Sequence, residues 1–229
     1  MRVYRIAERN IGIEALYERV HTRCAAYRVE DAPDFVVRTS REDIDREREN
    51  SAREDRLEGL PVRAWNDEYL EELAVYRQIA ERMPAYRTFL FHGSAVAVDG
   101  WGYLFAARSG TGKSTHARLW QQLLGDRLVY VNDDKPLVRI TDQAALVYGT
   151  PYDGKHHLSS NIAVPLRALC LLQRGAENSI RPIGAREAFA RTMELIQELT
   201  RQVRFYELSC NMDLEAAQVA FQTMAPSEG

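Results

Sequence analysis

The chain has 229 residues, 45% of them apolar and 28% charged, and its 30 Lys and Arg against 33 Asp and Glu give a net charge of −3. This composition excludes collagen-like, disordered and membrane classes for the bulk of the chain and argues against a generally basic nucleic-acid binder. The length suits one to two domains of ordinary size. No apolar run approaches the roughly 18 residues of a membrane span, and no apolar stretch follows Met1-Arg2-Val3-Tyr4-Arg5. The expectation is a cytoplasmic protein without signal peptide, membrane or nucleic-acid partner. Cys24, Cys170 and Cys210 are widely spaced with no CxxC pair. They read as buried thiols used as small hydrophobes, not as a disulfide framework or a zinc site.

Residues 1–85 are charge-rich and hold two glycines, Gly12 and Gly59, whereas residues 86–229 carry the other glycines and most β-like runs. The chain therefore divides into an N-terminal α+β appendage, 1–85, and a second domain, 86–229. In the first part, residues 3–6 read as a strand. Residues 13–27 have helical spacing, with Leu16, Val20 and Cys24 on one face. Residues 34–38 read as a strand. From 41 to 58 nearly every residue is charged, with both signs mixed at i,i+4, the composition of a solvated helix face or a mobile loop. Leu60-Pro61 ends that run. Asn66 suits the N-cap of a helix over 67–83 with the stripe Leu70, Leu73, Ala74, Arg77 and Ala80, and Pro84 stops it.

In the second part, residues 88–91 are apolar, and 94–98 and 101–105 are β-like runs joined by Asp99-Gly100. Asp-Gly between such runs signals a hairpin, because a type I′ turn needs positive φ at both central residues. A helix is expected over 113–124, with Gly125 in the left-handed position past its end. A strand over 127–131 runs into Asn132-Asp133-Asp134. Further strands are expected over 137–140, 145–148, 166–172 and 203–208, and helices over 185–199 and 213–224.

Between the hairpin and the helix lies Ala107-Arg108-Ser109-Gly110-Thr111-Gly112-Lys113-Ser114. It departs from the phosphate-loop pattern G-x-x-x-x-G-K-[ST] only at Ala107, which replaces the first glycine. Gly110 and Gly112 let successive backbone N–H groups converge on phosphate oxygens, and the helix N-terminus adds partial positive charge. Ser109, Gly110, Thr111, Gly112, Lys113, Ser114 and Thr115 are thus expected to cradle the phosphates of ATP. Lys113 would reach the β- and γ-phosphates, and Ser114 would ligate Mg²⁺. Ala107 either narrows the loop, fixes its geometry or marks a degenerate loop that no longer binds nucleotide. Asp133-Asp134 ends the next strand, where P-loop proteins carry a metal-holding aspartate. Alternation across the strand end can aim one carboxylate at Mg²⁺ and the other at the acceptor; a plain turn is the simpler alternative.

Residues 149–157 form a polar loop, Gly149-Thr150-Pro151-Tyr152-Asp153-Gly154-Lys155-His156-His157. Lys155, His156 and His157 are candidates for the acceptor side of the cleft. His116 and His21 read as surface, and Trp101 and Trp120 as core. Arg108, Arg118 and Arg139 are cations able to neutralise phosphate, although each alone reads more simply as a surface charge.

Residues 92–120, together with Asn132-Asp133-Asp134-Lys135-Pro136, resemble the HPr kinase/phosphorylase group and the wider phosphoenolpyruvate-carboxykinase-like P-loop superfamily. The matching residues are the loop from Ser109 to Ser114, His92-Gly93 before the hairpin strand, and the Asp133-Asp134 pair. The resemblance implies an α/β fold, a mixed twisted sheet carrying the P-loop, beside the small N-terminal α+β region. It implies Asp133 as general base on the acceptor, His92 as its neighbour, and Asp134 as a Mg²⁺ ligand. Ala107 and the lack of the long C-terminal HPr-binding signature point to a relative, not to an HPr kinase itself.

The expected activity is Mg²⁺-dependent transfer of the γ-phosphoryl group of ATP to a hydroxyl, in a peptide or protein serine or a small molecule. A nucleotide-binding regulatory module without turnover is the alternative, which has no need of Asp133 and His92; a plain NTPase comes third. The acceptor, the choice among ATP, GTP and pyrophosphate, and the oligomeric state are not legible in the sequence.

Overall fold

The computed structural model describes residues 1–57, 59–107, 110–154, 156–191, 204–211 and 213–225. The chain forms two compact units, Met1–Tyr86 and Arg87–Gly229.

In the first unit β1 (Arg2–Ile6) and β2 (Arg9–Glu14) make a hairpin across Ala7 and Glu8, both at positive φ. β3 (Arg28–Val29) pairs antiparallel with β1, and β4 (Phe35–Arg38) parallel with β2, in the order β3-β1-β2-β4. Helices α1 (Glu18–Arg23), α2 (Arg41–Leu57) and α3 (Asp67–Arg82) complete the unit. Its buried side chains include Ile11, Ile13, Val20, Val37, Ile44 and Leu70.

Residues 13–27 are not one helix. Ile11 and Ile13 are laddered to β1, and Leu16 is 52% exposed. The N–H groups of Leu16 and Tyr17 donate to the buried Glu71 carboxylate of α3 at 2.6 and 2.8 Å. That carboxylate satisfies the donors ahead of α1, so the helix begins only at Glu18. The charged run 41–57 is helical, but its inner face is not solvated: Ile44, Glu47 and Asp55 are buried. Burying a carboxylate requires a partner. Glu47 is paired with Arg77, and Asp55 accepts the Arg63 backbone N–H at 2.9 Å and its Nε at 3.0 Å. Arg77, assigned above to an apolar stripe, is exposed and serves that pair, while Val75 and Ile79 fill the buried face. Asn66 caps α3 by accepting from the Tyr69 N–H at 2.9 Å. His21, read as surface, is half-buried and bonds the Tyr4 hydroxyl at 2.9 Å.

The second unit runs β5 (Thr88–Leu90), β6 (Gly93–Val98), β7 (Trp101–Ala106), α4 (Lys113–Leu124), β8 (Leu128–Asn132), β9 (Leu137–Ile140) and β10 (Ala145–Tyr148). It continues with β11 (Ala163–Arg174), β12 (Ser179–Ile183), α5 (Ala185–Arg191), β13 (Arg204–Cys210) and α6 (Leu214–Met224). The sheet has the order β5-β9-β10-β11-β7-β6-β8, with β13 beside β11 and β12 beside β13. β11 is parallel to β7 and β13, and the remaining pairs are antiparallel, so the sheet is mixed and the unit α/β. The β6–β7 turn has Asp99 at φ 51° and Gly100 at φ 81°, as a type I′ hairpin demands. Alternation along β6 and β7 builds two cores. Ala95, Ala97, Leu104 and Ala106 face one cluster with Val131, Val138 and Leu169. Val96, Val98, Tyr103 and Phe105 face the other, against Trp120 of α4 and Ala217 of α6.

Several expectations need correction. Trp101 is not core but 42% exposed, at the first position of β7, with the Arg167 guanidinium 5.0 Å from its ring. Gly125 has a positive φ of 55°, but its ψ of −130° is not left-handed helical. β12 was not anticipated, because Arg181 and Pro182 mask its pattern. The expected helix 185–199 is helical to Arg191; residues 192–199 and Val203 lie outside the described residues. All three cysteines are free and buried.

His116, expected on the surface, is 2% exposed on the buried face of α4. Its ring meets Phe105 edge-on at 4.8 Å, and its Nε2 accepts the Trp120 Nε1–H at 3.2 Å. Burial pushes its pKa down to about 4. The ring is therefore neutral in the folded chain across a pH range where the unfolded chain protonates it. Stability is full above pH 6.5 and falls as the pH drops from there toward 4, by up to about 3 kcal/mol at the lower limit. Urea unfolding at pH 7, 6 and 5 checks this: the decline is expected in wild type and flattened in His116→Gln. In the first unit, Asn66→Ala is expected to cost about 1 kcal/mol, read from the same unfolding curves at pH 7.

Candidate active site

β7 leaves the sheet at Ala106 and α4 begins at Lys113. Between them Gly110 has φ 74° and Gly112 φ 119°, backbone that L side chains rarely adopt. Gly112 is the N-cap of α4, and among the described residues no side chain caps that helix. Its first N–H groups are thus donors in want of an acceptor. Ala107 lacks a left-handed φ, and its methyl packs on the apolar cluster beneath the loop. A side chain at this position therefore gains contact and strains nothing. The Ala107 carbonyl accepts from Lys113 Nζ at 3.1 Å. Burial pushes the Lys113 pKa down, and the charge of Asp134 acts in the opposite sense. Thr111, Ser114 and Thr115 are half-buried; Arg108 and Ser109 lie outside the described residues.

The acidic pair is set by the residue before it. Asn132, at the end of β8, is fully buried. Its Oδ1 accepts the N–H groups of Asp134 and Lys135 at 2.9 and 2.6 Å. Its Nδ2 donates to Thr150 Oγ1 at 3.1 Å. One amide thus shapes the turn and joins it to the loop after β10. Asp133 is 3% exposed and accepts the Gly154 N–H at 2.6 Å through Oδ1. Burial raises its pKa, the Asp153 and Asp134 charges add to the rise, and the Gly154 N–H partly offsets it. Asp134 lies 3.3 Å from His92 Nε2 and 3.6 Å from Lys135 Nζ. Burial also pushes this carboxyl up, but the His92 hydrogen bond and the charges of Lys135, His92 and Lys113 outweigh it, and the net pKa is lowered. His92 was expected beside Asp133. It contacts Asp134 instead, because the Gly93 N–H bonds the Asp134 carbonyl at 3.0 Å and sets residue 92 against that side chain.

Residues 149–154 and 156–160 lie against this turn. Gly149 approaches so closely that an added Cβ would sit 1.8 Å from the Ser160 carbonyl and 2.6 Å from that of Val131. Asp153 accepts from Ser159 Oγ at 2.9 Å and contacts His157 Nδ1 at 3.1 Å. His157 has φ 54°, and both His156 and His157 are exposed; Lys155 is outside the described residues. Arg118 is exposed on α4 and Arg139 stands on β9, three strands from β7 in the sheet order.

Sequence reasoning named Asn132 and Asp153 only within their segments, without a role for either, and missed Arg174. Arg174 ends β11, and its Nη2 donates to the Gly110 carbonyl at 2.7 Å. Nothing in its local sequence sets it apart; only the parallel pairing of β11 with β7 brings it to the loop. Among the described residues no group of three or more His, Cys, Asp or Glu is arranged to hold a metal. Mg²⁺ commonly takes one or two carboxylates and completes its shell with phosphate and water. Asp134, held anionic, and Ser114 at the helix start are the residues that could hold it. No helix among the described residues is long and apolar enough to cross a membrane.

Comparison with solved structures finds a likeness to the Hpr(Ser) kinase/phosphatase from Coxiella burnetii, at 12% identity and a TM-score of 0.40, over 58% of this chain and 89% of that one. No curated protein matches the chain. The family model described as SynChlorMet cassette protein ScmC matches residues 60–224. That match spans well over half of the sequence, and the chain belongs to the ScmC family.

Proposed function

We propose that this protein is a kinase that uses ATP and Mg²⁺ to phosphorylate a hydroxyl, in a peptide or protein serine or a small molecule. The observation that carries the reading is the divergence of two adjacent carboxylates. Asp133 is buried, with its pKa raised, and Asp134 sits among His92, Lys135 and Lys113 with its pKa lowered. A carboxylate of raised proton affinity suits a general base. One kept anionic beside cations suits a metal ligand. The glycine conformations of the loop and the uncapped start of α4 support the reading, since they leave N–H groups for phosphate oxygens.

Bound MgATP would supply the phosphoryl group and much of the charge neutralisation at it. The residues of this chain do the rest. Lys113 leaves the Ala107 carbonyl for the phosphates and balances charge on the departing ADP. Ser114 and Asp134 hold the cation. Asp133 Oδ1 is engaged by the Gly154 N–H, so Oδ2 takes the proton of the acceptor hydroxyl as its oxygen bonds to phosphorus. Asp153, His156 and His157 border the acceptor side, and His92 orients Asp134.

Calorimetric titration of MgATP, with ADP release assayed on the same samples, tests this. Lys113→Ala is expected to abolish binding. Asp133→Asn is expected to bind MgATP like wild type and to lose transfer by about 10²–10⁴-fold, the range for a removed general base. A fully active Asp133→Asn protein overturns the base assignment. Failure of wild type to bind MgATP overturns the kinase reading in favour of an interaction module. Gly154→Ala, whose methyl would stand 3.1 Å from the Asp133 carboxylate, is expected to lower the transfer rate and leave MgATP affinity intact.

A further inference from the structure

Arg174 is exposed at the end of β11, yet among the described residues it has no carboxylate partner. Its hydrogen bonds go to two backbone carbonyls of one loop, from Nη2 to Gly110 O at 2.7 Å and from Nε to Thr111 O at 3.5 Å. The sheet explains how it arrives there. β11 runs parallel to β7 with Leu171 opposite Ala106, so the last residues of β11 continue beside the chain leaving β7. The base of the arginine is fixed from its other side. Arg174 pairs with Cys210 of β13, and the next N–H, of Gly175, bonds the Cys210 carbonyl at 3.1 Å. An added Cβ on Gly175 would stand 1.9 Å from Ser209 Oγ, so that turn is packed tightly.

The peptide plane turns this contact into a consequence. In a trans peptide the C=O and the following N–H point in opposite directions, and no cis bond occurs among the described residues. A guanidinium that takes the Gly110 and Thr111 carbonyls on one side therefore turns the Thr111 and Gly112 N–H groups to the other. Those are the donors a phosphate loop must present together with the start of α4. Glycines at 110 and 112 make the backbone permissive, so the orientation has to be imposed from outside, and a planar fork with two donors on a strand end is suited to impose it.

We propose that Arg174 is a positioning residue that clamps the loop in its phosphate-receiving form before nucleotide arrives. The proposal rests on the kinase reading for what the clamp serves, and on the geometry alone for the clamp itself.

Two measurements separate these. Backbone amide order parameters of Gly110, Thr111 and Gly112 from ¹⁵N relaxation, in the nucleotide-free full-length chain, read the clamp. Titration with a fluorescent ATP analogue and Mg²⁺ reads its purpose. Arg174→Ala is expected to lower the order parameters at Thr111 and Gly112 and to raise the nucleotide Kd about tenfold through lost preorganisation, with an unchanged melting temperature. Arg174→Lys, with one donor group in place of a fork, is expected to fall between and show partial rescue. Unchanged order parameters in Arg174→Ala overturn the clamp. Lowered order parameters with an unchanged Kd overturn its role in phosphate binding. If wild type and Lys113→Ala both fail to bind, the nucleotide reading falls with the phosphate role, and the order parameters still decide whether the arginine holds the loop. Should Arg174→Ala fold poorly, Arg174→Gln and Arg174→Lys carry the same comparison.

Discussion

The carboxamide of Asn132 is the hinge on which the candidate site depends. It lies fully buried at the end of β8 and uses both of its ends. The oxygen takes two consecutive N–H groups and so dictates the turn that carries Asp133 and Asp134. The nitrogen reaches across to Thr150 and ties that turn to the loop carrying Asp153 and Gly154. A buried amide deprived of its partners leaves each of them unsatisfied at about 1–3 kcal/mol. Exchange of this side chain would therefore release two segments at once, and with them the different surroundings of the paired carboxylates.

The sheet supplies the remaining order. β7 and β11 run in parallel, so the segment leaving one strand and the arginine ending the other meet at the same edge. β6 and β8 flank them on the far side and bring His92 and the acidic turn to the edge from which α4 departs. The sheet is apolar on both faces, with α4 and α6 covering one of them. Its side chains are thus spent on packing, and the polar chemistry collects where the strands end.

Much of this was legible from the residues. The Asp-Gly hairpin, the strand–turn–helix around Gly110 and Gly112, the Asn66 cap and the acidic pair each carry their own local signal. What was not legible depends on distant partners. The segment 13–27 looks helical by spacing, but a carboxylate from α3 claims its N–H groups. The charged run of α2 conceals two buried carboxylates whose partners are Arg77 and Arg63. His116 looks like a polar residue on a helix surface until Phe105 and Trp120 close over it. Arg174 is one arginine among many until the order of the strands is known. His92 was expected beside Asp133 and contacts Asp134, a choice fixed by a backbone bond from Gly93 that no sequence pattern announces.

Asp153 links two properties that are usually considered apart. Its carboxylate braces Ser159 and His157, and so helps set the shape of the rim against which an acceptor would lie. The same charge also raises the proton affinity of Asp133. If Asp133 serves as the base proposed above, a change at Asp153 would then alter the shape of this rim and the working pH together.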